Sequence, residues 1–170
     1  MENQIISPTN PPTNYASFGR RLGAFVIDFV LVSLAQSFVV VPLLAIAGIS
    51  AAAGVSPDDL EDMTDSEKLA MLTSMGGAFG IAQVVNLLIG AAYFILMESS
   101  AKQATVGKLA MGIVVTDLNG GRITPVTALL RYVGRFVSAI TLMVGYIMAA
   151  FTEKKQALHD IIASTLVLKP

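Results

Sequence analysis

Three long apolar stretches dominate the chain, with polar segments between them. The first runs from Leu22 to Ala47 and contains one charge, Asp28, and one proline, Pro42, near its far end. A helix of about 20 apolar residues crosses the hydrocarbon core of a bilayer, so this run is long enough to cross with tilt. Lipid-embedded helices tolerate a proline when neighbours re-satisfy the freed backbone groups. The second run, Leu69 to Met97, carries no charge, and Gln83 and Asn86 are among its few polar members. The third begins near Pro125 and ends at Phe151, with Arg131 and Arg135 one turn apart on one face. Its charge-free part, from Phe136 onward, has about 16 residues and is short for a crossing.

The polar segments add detail. Residues 1–14 read as a flexible tail. Residues 48–68 form an acidic loop in which Ser56-Pro57-Asp58-Asp59 is a helix-start signal. In residues 98–124, Gly112-Ile-Val-Val-Thr-Asp117 is β-branched and strand-like. Asn119-Gly120-Gly121 is a turn signal, and Arg122-Ile123-Thr124 could start a return strand. Residues 152–170 contain a second strand-like run, Ser164 to Leu168, which could instead pair with 112–117. Thr105-Val-Gly-Lys108 lacks the upstream glycine and the hydroxyl residue of a phosphate loop.

Composition agrees with the pattern. Of 170 residues, 54% are hydrophobic and 14% charged, and mean hydropathy is +0.70. A soluble chain this short leaves too much surface exposed to hide so much apolar area. The fold class expected is an α-helical integral membrane protein with two full transmembrane helices (22–47 and 69–97). A third apolar segment (125–151) is re-entrant, interfacial or spanning, and a small β-element lies in the cytosol. The net charge of −1 gives no electrostatic pull toward nucleic acid. Cysteine is absent and His159 is the only histidine, so no thiolate or multi-histidine metal site is expected. No cofactor is implied. With no HExxH and no GxSxG, an enzyme is the least supported class. The polar residues 1–19 do not read as a cleaved signal peptide, so the first apolar run is expected to stay as an anchor.

Basic residues favour the cytoplasmic side. Arg20 and Arg21 precede the first run, five bases lie in residues 98–135, and Lys154, Lys155 and Lys169 follow the third run. This places the N-terminus inside and the acidic loop outside, and it favours a third segment that does not cross.

Asp28 is the most informative residue. A carboxylate inside a membrane helix costs roughly 2.5–3.5 kcal/mol and should face protein or water. Arg21 lies two turns earlier on the same face, near enough to share a polar pocket, and Arg131 and Arg135 are alternative partners. Two readings stand: a cation or proton site, and a buried ion pair that fixes helix packing. His159-Asp160 suggests acid/base chemistry, but its plainer reading is to cap a helix or tie it to the β-element. Gln36, Gln83 and Asn86 either bond to neighbouring helices or line a path. Gly76 and Gly80 have GxxxG spacing, a candidate helix-packing face for a homo-oligomer.

Several motifs occur in an order that closely resembles the RDD family of small membrane proteins, named for one arginine and two aspartates. They are Arg21-Leu-Gly-Ala-Phe-Val-Ile-Asp28, Ala104-Thr-Val-Gly-Lys108, Gly112 to Asp117 with Asn119-Gly-Gly121, Arg131, Gln156-Ala-Leu-His-Asp160 and Ala163-Ser-Thr-Leu-Val167. The resemblance covers residues 15–168. It implies that Arg21, Asp28 and Asp160 are the signature residues, with Arg20 competing for the arginine role. One departure is Ser164, where a glycine is common. The resemblance also implies a bacterial cytoplasmic membrane and transport of ions or small ligands, for example a monovalent cation exchanged for a proton. A non-transporting scaffold or accessory subunit is the alternative.

Overall fold

The computed structural model describes residues 14–52, 62–140 and 144–170. Ser56 to Asp59 and nearly all of the N-terminal tail lie outside them. Two long helices carry the apolar runs: α1 (Phe18–Ala52) and α2 (Asp65–Glu98). Both hold segments long and apolar enough to cross a membrane, Phe18–Ile46 and Asp65–Glu98. Each helix begins about four residues before its apolar run. For α2 the reason is a capping box. Thr64 Oγ1 accepts from Glu67 N, and Glu67 Oε2 accepts from Thr64 N at 2.8 Å.

The shorter elements follow as α3 (Val106–Ala110), β1 (Val114–Asp117), α4 (Pro125–Ile140), α5 (Val144–Phe151), α6 (Leu158–Ile162) and β2 (Thr165–Leu168). The third apolar stretch is thus a bent pair. The axes of α4 and of Gly145–Phe151 differ by 96°. Helix α4 turns Ala128, Arg131, Gly134 and Ser138 inward, while Leu130, Val133, Phe136 and Ile140 are exposed. Small and polar residues inside with apolar residues outside is the reverse of a soluble amphipathic helix and suits contact with lipid.

Backbone contacts divide the chain into two units, 1–30 with 91–170, and 31–90. In the second unit, Gln36 Nε2 donates to Asn86 O at 2.8 Å, the Asn86 Oδ1 atom is buried without a partner, and Gln83 is exposed. Gly76 and Gly80 face open space.

The first unit contains the sheet. β1 pairs antiparallel with β2, with Val115 opposite Val167. Residues 122–124 form no return strand, so the local hairpin expected from the Asn119-Gly120-Gly121 turn does not form. Asp117 closes that turn instead: its Oδ1 accepts from Asn119 N and Gly121 N, and its N–H donates to Gly121 O. This leaves the strand free to pair with the distant β2, whose four residues are all buried. Tyr15 bridges Leu168, Ala16 N donates to Val167 O, and Lys169 N donates to Asn14 O, both at 2.9 Å. A small core of Ala16, Ala24, Ile113, Val115, Ile123, Ala128 and Val167 fills the space beneath.

Candidate functional site

Arg21, Asp28 and Asp160 fall into two separate sites within the first unit. Asp28 is 2% exposed, and among the described residues it pairs with no arginine. Neutral donors surround it instead. Tyr93 Oη donates to Oδ1 at 2.7 Å, Gly107 N donates to Oδ1 at 2.7 Å, and Thr105 Oγ1 donates to Oδ2 at 2.5 Å. Helix α3 explains the arrangement. Its first-turn N–H groups have no partners within the helix. Val106 N donates to Tyr93 Oη, Gly107 N to Asp28, and Lys108 N to Thr105 Oγ1. Asp28 therefore caps a helix distant in sequence. Gly107 permits this approach, because a Cβ there would lie 2.2 Å from Ala24 O and 2.8 Å from Asp28 Cγ. The expected pocket shared by Asp28 and Arg21, and the alternative pairs with Arg131 or Arg135, do not form.

Those arginines are engaged elsewhere. Arg21 Nη1 lies 2.5 Å from Asp160 Oδ2, and Arg131 Nη1 lies 2.6 Å from Asp160 Oδ1. Arg131 Nε also donates to Glu98 Oε2 at 3.0 Å, and a further Arg131 bond reaches Thr165 Oγ1. Lys108 Nζ and Arg135 Nη2 both contact Glu98 Oε1. Arg131 thus joins two fully buried carboxylates and ties α2, α4, α6 and β2 together. The guanidinium of Arg135 stacks on Phe94 at 4.0 Å. Arg20 makes a different contact, donating to Met111 O at 2.9 Å, so Arg21 is the arginine that meets an aspartate.

Asp160 also caps its own helix, accepting from Ala157 N at 3.0 Å. Burial alone would raise its carboxyl, but Arg131, Arg21 and the cap hold it well below the usual range. Burial pushes the His159 imidazole down to about 3, against the opposing pull of Asp160. Its Nδ1 is 3.4 Å from Ser138 Oγ and its Nε2 is 3.5 Å from Asp160 Oδ1. The ring is thus held between Ser138 and Asp160. Lys108 is pushed down to about 8 by burial, with Glu98 acting in the opposite sense.

Glu98, Tyr93 and Thr165 are the site residues that the sequence pattern did not single out. Glu98 had a signal. It ends a long uncharged run and stands at a helix C-terminus, where the macrodipole disfavours an acid. Such a carboxylate needs nearby cations, and three supply it.

A model of the RDD family matches residues 15–164. The chain belongs to the RDD family. Two relatives from Bacillus subtilis (strain 168) agree along most of their length. An uncharacterized protein, YxaI, is 31% identical over 90% of this chain and 96% of its own. An uncharacterized membrane protein, YteJ, is 30% identical over 91% of this chain and 80% of its own. Similarity to an uncharacterized Rickettsia prowazekii protein, RP437, covers 49% of this chain at 35% identity. No solved structure matches. In this RDD protein Arg21, Asp28 and Asp160 are the residues that the sequence motifs single out. The arginine and the second aspartate meet, and the first aspartate stands apart as a cap.

Proposed function

We propose that this RDD protein is a non-transporting accessory or scaffold subunit of a bacterial cytoplasmic membrane, with its arginine–aspartate residues serving as fasteners. The observation that carries this reading is that three neutral donors of the chain hold Asp28. Both of its oxygens accept hydrogen bonds from the chain's own neutral groups. A carrier carboxylate has to release such partners to take up a cation or proton.

The backbone bonds support a topology. Asn14 to Ala16, β1 and β2 form one bonded group. These points precede α1, follow α2 and follow α5. Two crossings return the chain to its starting side, and the bent α4–α5 pair then enters and returns on that side. The basic residues clustered there favour the cytoplasm for that side and for the N-terminus. The exposed Leu118, Arg122, Lys154 and Lys155 are then available to a cytosolic partner. Gly76 and Gly80 offer a bare face for a homo-oligomer.

Cation/proton exchange is the second reading, and the unpartnered Asn86 Oδ1 beside the Gln36 bond favours it. Purified protein in liposomes separates the two. The scaffold reading expects no Na⁺, K⁺ or Li⁺ flux coupled to a proton gradient from about pH 6 to pH 9. Flux that Asp28→Asn abolishes, with the melting temperature unchanged, would establish exchange instead.

A further inference from the structure

The ionic cluster of the first unit does not balance. Arg21, Lys108, Arg131 and Arg135 face only two carboxylates, Glu98 and Asp160. His159, which also faces Asp160, is held neutral, and Asp28, whose charge sits among neutral donors at α3, forms no ion pair with these cations among the described residues. The cluster therefore carries two cations more than its acids offset.

The excess lies on the outside. The carboxylate side chains are 0–1% exposed and Arg131 is 1% exposed. The Arg21, Lys108 and Arg135 side chains retain 12%, 12% and 16%. Arg21 Nε and Nη2, and Arg135 Nη1, are themselves buried and have no hydrogen-bond partner among the described residues. Unpaired N–H groups on a low-dielectric site cost free energy until an acceptor arrives.

Position indicates which acceptor. Arg21 stands in the first turn of α1, and Glu98 is the last residue of α2. Both lie near the ends of segments long and apolar enough to cross a membrane, where such segments meet headgroups. Arg135 lies on α4 with its guanidinium over the Phe94 ring, and α4 turns the apolar Leu130, Val133, Phe136 and Ile140 outward. A ligand at this rim meets cations beside an acyl-compatible surface. Arginine forks match phosphate oxygens, and basic pockets among membrane helices take anionic headgroups.

We infer that the rim formed by Arg21, Lys108 and Arg135 binds the phosphate of an anionic phospholipid, which supplies the missing counter-charge.

The test uses the full chain purified in neutral detergent. Native mass spectrometry and thermal melting are followed with phosphatidylglycerol, phosphatidylcholine and inorganic phosphate. Phosphatidylglycerol should be retained and should raise the melting temperature, while phosphatidylcholine and inorganic phosphate should do neither. Arg135→Gln and Lys108→Gln should each weaken retention about tenfold, as for loss of one charged hydrogen bond. Arg135→Lys should restore part of it, and Lys154→Gln with Lys155→Gln, exposed cations outside the cluster, should change nothing. Equal retention of the two lipids by the unmodified protein overturns the inference without any variant. So does loss of binding through Lys154 and Lys155, which would mean diffuse surface attraction. Stabilisation by inorganic phosphate as strong as by the lipid would assign the rim to a soluble anion and overturn the lipid assignment.

Discussion

Gly107 is the residue on which the Asp28 site depends. Its N–H must reach a carboxylate on α1, and only a residue without a Cβ fits between that carboxylate and Ala24 O. Gly107→Ala should destabilise the protein by roughly 2–4 kcal/mol, combining overpacking against backbone with loss of cap bonds. A detergent melting curve measures this, and an unchanged midpoint would mean that α3 does not dock on Asp28. Gly76 and Gly80, whose spacing drew attention in the sequence, meet nothing within 4 Å in the single chain. Close approach of a backbone depends on the fold, and spacing alone does not reveal it.

At the scale of elements, the two spanning helices were legible because long uncharged runs admit one answer in lipid. The two strands were legible from β-branched runs at 112–117 and 164–168. The choice between a local hairpin and long-range pairing was not, because the turn chemistry of Asn119-Gly120-Gly121 serves a closed Asp117 turn equally well. Arg21, Asp28 and Asp160 drew attention in the sequence, but their partners were not legible there. Helical periodicity relates residues on one helix, whereas the partners Tyr93, Thr105 and Arg131 come from other elements. The α6–β2 turn supplies another prediction. Ser164 adopts φ 51°, a left-handed conformation that favours glycine. Ser164→Gly should therefore stabilise the protein by about 0.5–1 kcal/mol, seen as a higher melting temperature. A lower one would show that the serine hydroxyl outweighs the backbone strain.

The whole molecule is turned inside out relative to a soluble protein. Phe29, Phe38, Leu88 and Leu96 are exposed, while Glu98, Arg131 and Asp160 are among its most buried side chains. Lipid accommodates the first set. A bonded network joining the start of α1, the end of α2 and the C-terminal strand accommodates the second. A double-mutant cycle tests this grouping most directly, with stability read from melting in detergent. Asp28→Asn and Tyr93→Phe should be coupled by about 0.5–3 kcal/mol, since they share a hydrogen bond. Asp28→Asn and Arg21→Gln should be additive within about 0.5 kcal/mol. Coupling of Asp28 to Arg21 as large as its coupling to Tyr93 would contradict the account and restore the single buried arginine–aspartate site.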